Sequence, residues 1–281
     1  MSDFPREPND AEAQTPPIAR KGRPPGERRL ELLQDFLGSF DLKSKLGVEI
    51  GPYDRPILPK PDYDMIYADV FSTEELRRMG AANKNRDASK VVDVEIVLRD
   101  QTLGAAIEGR NVKYVFGSHV YEHIPNLLGF LREVAESLGP GGLIIGAFPD
   151  RRYTYDIERP RTTLGQLLDR DARNVTKPDP DIVFDHRFYF RPVKSPAIWA
   201  LGEAGIPERQ FTFDHAMAKM ELSHEDYVDA HCNLFSDEEF AEAMAALGAA
   251  GRLPLSVASV TPTVRPFNEF FFALKVVDGK D

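Results

Sequence analysis

A strand, a helix and a second strand follow one another within residues 113–149, and this unit restricts the chain to few folds. Residues 114–117 and 143–148 are apolar runs without polar alternation, which is typical of strands covered by helices on both faces. Between them, apolar side chains recur every three or four positions, which predicts an amphipathic helix. Asn126 is a suitable N-cap, and the Gly-Pro-Gly-Gly sequence at 139–142 would end the helix. The unit is therefore a βαβ crossover, which we expect to be right-handed.

Further strands precede and follow this unit. Apolar or β-branched runs predict them at residues 46–51, 64–69, 90–98, 255–260 and 269–276. Two capping boxes, each a serine followed three residues later by glutamate, predict helices over 72–82 and 236–248, and a helical turn should begin at 100–103. Four prolines within residues 52–61 exclude a regular helix after the first strand. The pattern predicts an α/β fold in which the loops after the first and fourth strands flank the point where strand order reverses.

Net charge and composition restrict the class of binding partner and the cellular compartment. The net charge of -10 argues against nucleic acid, because phosphate binding depends on clustered lysine and arginine. Cys232 is the only cysteine, so an internal disulfide is excluded and a reducing compartment is favoured. No stretch approaches the roughly 20 apolar residues of a membrane span, and the first thirty residues lack an apolar signal segment. We therefore expect a cytoplasmic protein without a membrane span.

The segment that follows the fourth strand carries an unusual density of reactive side chains. Within residues 117–123 a serine, a glutamate and two histidines lie close together. In parallel sheets, ligands bind beyond the carboxyl ends of the strands, which is where this segment lies. Each of these side chains could equally cap the loop or pack against the core. As a group they make the segment a candidate site.

Five segments stand out in order along the chain: VEIGP at 48–52, IYAD at 66–69, RDQTL at 99–103, SHVYEHI at 118–124 and LGPGGLIIGAFP at 138–149. Together they resemble the class I S-adenosylmethionine-dependent methyltransferases. The segment DYVDAHCNLF at 226–235 is similar to one found in methyltransferases of the SHVxEHxP type. The resemblance implies a Rossmann-like seven-stranded sheet, mostly parallel with a reversed last strand, helices on both faces and an insertion after the fifth strand. It also implies S-adenosyl-L-methionine as the cofactor.

The resemblance assigns cofactor contacts to particular residues. Glu49 and the Gly51 backbone would face the amino acid end of the cofactor, although the glycine-rich loop of the family is reduced here to Gly-Pro-Tyr-Asp at 51–54. Asp69 would accept hydrogen bonds from the ribose hydroxyls. The remaining implied contacts are Asp100 and Gln101 at the adenine and Ser118 and His119 at the methionine moiety.

Methyl transfer to a hydroxyl or amine needs an aligned acceptor and, for a hydroxyl, a base. His123 is the first choice of base because an imidazole titrates near neutrality, and His119 is the second. Glu122 is expected at the acceptor. The acceptor, a small molecule or glycan, is expected to contact residues of the insertion, namely Arg152, Tyr153, Tyr155 and His186.

These assignments divide the chain into four parts. Residues 1–26 hold few large apolar groups and are predicted to form a disordered tail. Residues 27–149 would form the cofactor-binding half of the methyltransferase domain, beginning with a helix at 28–40. Residues 150–231 would form an insertion that serves as an acceptor lid, and 232–281 would complete the domain.

Two other hypotheses are alternatives to methyl transfer with a histidine base. In the first, a metal ion would hold and acidify a diol acceptor, bound by some of His186, His215, His224 and His231 together with Asp185, Asp214 or Asp229. The separations of these histidines match no compact ligand motif, so the sequence predicts no metal site. In the second, the fold would serve as a non-catalytic binding module.

Overall fold

A computed structural model describes residues 37, 38 and 40–278. The predicted tail at 1–26 and nearly all of the predicted helix at 28–40 lie outside the described residues. The described part contains one seven-stranded sheet in the order β3-β2-β1-β4-β5-β7-β6. Its strands are β1 (Gly47–Ile50), β2 (Met65–Asp69), β3 (Ile96–Val97), β4 (Tyr114–Ser118), β5 (Leu143–Pro149), β6 (Leu255–Val260) and β7 (Glu269–Val276).

Strand order reverses between β1 and β4, as the sequence predicted. The two strands pair in parallel, and β5 continues the parallel sheet beyond β4. β7 runs antiparallel between β5 and β6, so the predicted reversed last strand is confirmed. The loops that follow β1 and β4 therefore leave the same edge of the sheet side by side, which is where α/β proteins bind ligands.

Eight α-helices accompany the sheet within the described residues. They are α1 (Thr73–Ala81), α2 (Leu103–Ile107), α3 (Leu127–Leu138), α4 (Leu164–Ala172), α5 (Pro180–Phe188), α6 (Ser195–Leu201), α7 (Phe213–Glu225) and α8 (Asp237–Ala249). Both predicted capping boxes are present, at the start of α1 and of α8. Asn126 caps α3 by accepting from Gly129 N, and Gly139 ends it with a φ of 70°. Local sequence signals thus fixed these ends.

The sheet has an apolar core on each face. On one face, Val48 and Ile50 of β1 lie in a cluster that also contains apolar residues of α3 and α8. On the other, Tyr67 and Phe116 pack with residues of the loop that follows β1. Burial on both faces explains why the central strands are apolar throughout rather than alternating.

β3 is shorter than the sequence predicted. The run at 90–98 was expected to be a full strand, but only Ile96–Val97 pair with β2. Upstream, Val92 N donates to Tyr53 O and Val94 N donates to Thr73 Oγ1. These amides bond to a loop and a side chain instead of a strand, so β-branched composition alone does not extend the ladder.

The segment 150–231 is more helical than its weak periodicity indicated. It contains α4, α5, α6 and α7. Phe184 and Phe188 of α5 stack with ring centroids 5.4 Å apart, and Phe213 of α7 meets Phe184 edge-on at 5.3 Å. This small aromatic cluster joins α5 to α7. Across the described residues, no helix combines the length and apolar character needed to cross a bilayer.

Candidate active site

The carboxyl ends of β1, β2 and β4 meet at one edge of the sheet. Gly51 directly follows β1; it is exposed and has a φ of 68°, a conformation that favours glycine. A Cβ added to Gly51 would meet only Val120, at 3.5 Å. The backbone at the end of β1 is therefore open to close approach by a ligand.

Glu49 is a buried carboxylate that holds the loop after β1. Its Oε1 accepts from Ile57 N at 2.8 Å and its Oε2 accepts from Leu58 N at 3.0 Å. Burial raises the pKa of Glu49 to about 7, although both amide bonds act in the opposite direction. Both oxygens already have partners, so the contact with a cofactor ammonium expected for Glu49 stays a prediction.

Asp69 stands at the end of β2 with Val70 beside it. Its Oδ1 accepts from Phe71 N at 3.0 Å, and burial raises its pKa. The side chain of Val70 is 50% exposed, which leaves an apolar surface next to the carboxylate. Asp100 and Gln101 lie exposed just before α2. The contacts expected of Asp69 with a ribose and of Asp100 and Gln101 with an adenine stay predictions.

β4 ends in Ser118 and an irregular turn. Ser118 Oγ is buried and has no hydrogen-bond partner among the described residues. His119 has a φ of 55°, an uncommon conformation for a residue other than glycine, and its Nε2 lies 2.7 Å from Glu269 Oε2. The turn thus fixes the direction of the His119 ring. It also leaves the buried Ser118 hydroxyl available to a ligand.

Glu122 lies in the short 3₁₀ turn that follows. It is 1% exposed, and neither carboxylate oxygen has a hydrogen-bond partner within the described part of the chain. His119 Nδ1 and His123 Nε2 approach Oε1 at 3.6 and 3.8 Å. A buried carboxylate without hydrogen bonds is costly unless a ligand satisfies it.

His123 is oriented by a second carboxylate. Its Nδ1 lies 2.8 Å from Asp229 Oδ1, and its ring meets the ring of His231 edge-on at 4.7 Å. Burial alone would lower the pKa of His123, but the bond to Asp229 and the charge of Glu122 outweigh it and the pKa is raised. The Asp229 contact leaves Nε2 as the ring nitrogen that faces Glu122.

His231 is likewise oriented by a carboxylate. Together with Glu122, His123, Asp156 and Asp229 it forms a cluster of histidines and carboxylates. Its Nδ1 lies 2.6 Å from Asp156 Oδ2, and its Nε2 lies 2.6 Å from the Tyr155 hydroxyl. Asp156 is 1% exposed and also accepts from Arg159 at 2.7 Å. Burial would raise the pKa of Asp156, but its contacts with His186 and His231 hold that pKa well below its usual range.

Backbone hydrogen bonds hold the two halves of the cluster together. Cys232 N and Asn233 N both donate to Glu122 O, at 2.6 and 3.1 Å. The side-chain Nδ2 of Asn233 adds bonds to Tyr121 O at 2.9 Å and to Ile124 O at 2.7 Å, donating in both. The segment that contains His231 is thereby fixed against the turn that contains Glu122 and His123.

A sequence model of the methyltransferase domain family matches residues 27–251. The chain belongs to this family. The class I methyltransferase prediction is confirmed at that level, the protein is an enzyme, and S-adenosylmethionine is the cofactor of its class. Comparison with curated proteins by sequence found no match.

Several solved structures are similar to this methyltransferase at low identity. One is a Rhodobacter sphaeroides protein named as a Zn-dependent alcohol dehydrogenase, with a TM-score of 0.48, 11% identity and 92% of each chain covered. Another is an S-adenosylmethionine-dependent methyltransferase from Mesorhizobium loti, with a TM-score of 0.43, 12% identity and coverage of 88% of this chain and 96% of that one. The CcbJ methyltransferase from Streptomyces caelestis has a TM-score of 0.43 and 11% identity, covering 91% of this chain and 97% of that one. The family assignment rests on the sequence model and not on these likenesses.

The strand ends of this methyltransferase fit S-adenosylmethionine. Gly51 leaves the backbone open, Asp69 presents a carboxylate beside the exposed Val70, and Ser118 Oγ is buried without a hydrogen-bond partner among the described residues. The amino acid end of S-adenosylmethionine would lie against Gly51 and Ser118, and its ribose diol would lie against Asp69. Gly51, Asp69 and Ser118 are the residues that would hold it.

The predicted acceptor residues fall into two groups. Tyr155 and His186 join the cluster, since Tyr155 contacts His231 and His186 Nδ1 lies 3.6 Å from Asp156 Oδ1. Arg152 and Tyr153 make their contacts elsewhere. Arg152 bonds to Asp150 and Asp237, both at 2.6 Å, and Tyr153 stacks on Trp199 with ring centroids 4.0 Å apart. Their role toward an acceptor stays a prediction.

Sequence reasoning gave no role to Asp156 or Glu269 and named Asp229 and His231 only within the competing metal reading. The available signal was the pairing of Asp229 and His231 within the segment 226–235, which already resembled other methyltransferases. Asp156 and Glu269 carried no local signal, because their partners come from other parts of the chain. His215 and His224, also considered as ligands, are exposed on α7.

Proposed function

We propose that this methyltransferase transfers a methyl group to a hydroxyl oxygen of a small molecule or sugar bound beside Glu122, His123 and His231. One observation carries the proposal. Glu122 is buried at the edge of the sheet, has no hydrogen-bond partner among the described residues, and faces a histidine whose orientation a second carboxylate fixes. Such an arrangement suits the binding of a hydroxyl and the removal of its proton.

The cofactor supplies an activated methyl group on a sulfonium, so the protein must align the acceptor and accept its proton. Nδ1–H of His123 donates to Asp229 Oδ1 at 2.8 Å, and this bond leaves a lone pair on Nε2 to receive the proton. The carboxylates of Asp229 and Glu122 stabilise the imidazolium that forms, consistent with the raised pKa of His123. Asp229 therefore acts as a positioning residue and His123 as the base.

Glu122 is suited to orient the acceptor. Its two oxygens, which have no hydrogen-bond partner in the part of the chain that the structure describes, can accept from one or two acceptor hydroxyls, which favours a molecule with neighbouring hydroxyl groups. The insertion contributes to the same place through Tyr155 and His186. This supports the predicted use of residues 150–231 as the segment that recognises the acceptor.

The first test is cofactor binding. Mass spectrometry of the purified protein should detect co-bound S-adenosylhomocysteine, and calorimetry should give saturable binding of S-adenosylmethionine. The second test is turnover of S-adenosylmethionine in the presence of a panel of diols, catechols and sugars. With an acceptor in hand, His123→Ala should lower kcat about 10² to 10⁴-fold and leave cofactor affinity unchanged.

His224→Ala is the matched control, because His224 is an exposed histidine of the insertion. It should keep wild-type turnover. Failure of the wild-type protein to bind S-adenosylmethionine would reject the proposed function. Wild-type turnover in a folded His123→Ala variant would reject the proposed base.

A further inference from the structure

We propose that Glu122, His123 and His231 bind a divalent first-row transition-metal ion, with Zn²⁺ the best match, and that this ion selects acceptors with two adjacent oxygen atoms. The inference deepens the proposed function and rests on it for the identity of the acceptor. It departs from the expectation, drawn from spacing along the chain, that no metal site is present. Folding brings together ligands that sequence spacing separates.

The three donor atoms already cluster. One ligand atom from each of Glu122, His123 and His231 lies within 4.8 Å of the other two. The pair Glu122 Oε1 and His123 Nε2 is 3.8 Å apart. Donors at about 2.1 Å from a tetrahedral Zn²⁺ are about 3.4 Å from one another. Small side-chain rotations therefore close the site around an ion.

The groups behind the ligands match those that orient metal-binding histidines. His123 Nδ1 contacts Asp229 at 2.8 Å, and His231 Nδ1 contacts Asp156 at 2.6 Å. A carboxylate on Nδ1 fixes the tautomer and directs the Nε2 lone pair outward, as it does in carboxylate–histidine–zinc sites. Both His123 and His231 carry that carboxylate on Nδ1, which makes Nε2 the nitrogen that would bind the ion.

Charge favours an ion in the same place. Glu122 is buried, and its carboxylate has no hydrogen-bond donor in the described part of the chain. Asp156 is balanced by Arg159 at 2.7 Å, whereas the imidazoles of His119 and His123 lie 3.6 and 3.8 Å from Glu122 Oε1. A divalent cation would satisfy the Glu122 carboxylate directly. Two nitrogens with one oxygen suit Zn²⁺ and its neighbours better than Mg²⁺, which prefers oxygen ligands.

Tyr155 competes with the ion for His231. Its hydroxyl lies 2.6 Å from His231 Nε2, the nitrogen that would bind the metal. An entering ion must displace this hydrogen bond, so loss of the hydroxyl should tighten metal binding. A residue with only a structural role at this position would produce no such gain.

The ligand set also predicts the acceptor. Two histidines and one glutamate leave coordination positions open, as in catalytic zinc sites with three protein ligands. An acceptor with two adjacent oxygens, such as a catechol, a vicinal diol or a 2-hydroxy acid, could fill them. The ion would lower the pKa of the bound hydroxyl, so that its proton could pass to solvent water, and His123 would then hold the ion instead of accepting the proton.

Calorimetry with Zn²⁺, Mn²⁺ and Mg²⁺ on the metal-stripped full-length protein tests the site. We expect one Zn²⁺ per chain, with weaker binding of Mn²⁺ and the weakest of Mg²⁺. Glu122→Gln and His231→Gln should each weaken Zn²⁺ binding at least tenfold, whereas Tyr155→Phe should strengthen it. Electron paramagnetic resonance of the Mn²⁺ form should lose its bound signal in the same two weakened variants.

His224→Ala serves as the control for binding to surface histidines and should retain wild-type Zn²⁺ affinity. Absence of stoichiometric Zn²⁺ binding overturns the inference, as does binding that folded Glu122→Gln and His231→Gln leave unchanged. Cofactor affinity, measured separately, distinguishes the two proposals. A protein that binds S-adenosylmethionine but no metal keeps the proposed function, whereas one that binds metal but not S-adenosylmethionine loses it.

Discussion

Two buried glutamates at neighbouring strand ends have opposite surroundings. Glu49, near the end of β1, is 2% exposed and accepts backbone N–H bonds on both oxygens. Glu122, just after β4, is 1% exposed and has no hydrogen-bond partner on either oxygen among the described residues. Burial alone therefore does not distinguish a structural carboxylate from a functional one. The number of carboxylate oxygens without a hydrogen-bond partner distinguishes the two, because a buried polar atom without a partner is stable only when a ligand supplies one.

The largest expected effect tests this contrast in stability. Glu49→Ala leaves the amides of Ile57 and Leu58 without their acceptor, and each loss costs about 1 to 3 kcal/mol, so unfolding should become easier by about 2 to 6 kcal/mol. Glu122→Ala removes a buried carboxylate that makes no hydrogen bond among the described residues and should cost far less. Urea unfolding at pH 4.5, where the contribution of Glu49 is present, measures both. Equal losses of unfolding free energy in the two variants would contradict the contrast drawn between Glu49 and Glu122.

The second prediction concerns pH. The pKa of Glu49 is raised from 4.5 to about 7 by burial, so between these values the folded state holds a proton that the unfolded chain has released. The contribution of Glu49 to stability is thus fully present below pH 4.5 and decreases as pH rises through 7. The decrease should reach about 3 kcal/mol. Unfolding free energies of wild type and Glu49→Gln, measured from pH 4 to 8, give the value by difference, and a pH-independent difference would contradict it.

The third prediction sharpens the comparison from the cofactor side. Asp69 is a partly satisfied carboxylate, with Oδ1 bonded to Phe71 N. If it also accepts from the ribose, Asp69→Ala should weaken S-adenosylmethionine binding by about 1.5 to 3 kcal/mol. Asp64→Ala, an exposed change just before the other end of β2, is the calorimetric control. An unchanged dissociation constant in folded Asp69→Ala would remove Asp69 from the site.

The smallest expected effect separates the insertion from the cofactor. Tyr153→Ala and Arg152→Lys alter the start of the insertion and should reduce acceptor turnover, yet change cofactor affinity less than twofold, or about 0.4 kcal/mol. Calorimetry and steady-state kinetics measure the two quantities. An equal loss of cofactor binding would show that the start of the insertion does not act on the acceptor alone. Unchanged turnover would remove Arg152 and Tyr153 from acceptor recognition.

The sequence by itself determined the capped helices and all strands but β3, because apolar periodicity and caps act over a few neighbouring residues. The reversed last strand was implied by the resemblance to the methyltransferases. The sequence also identified residues 117–123 as a candidate site. It did not determine the short β3, whose amides bond to a loop and a side chain, or the helices of the insertion. Only the tertiary structure decided that Glu49 is satisfied and Glu122 is not, and that His231 and Asp156 meet His123. Those facts depend on which distant backbone and side-chain groups fold against each carboxylate, and no local pattern records that.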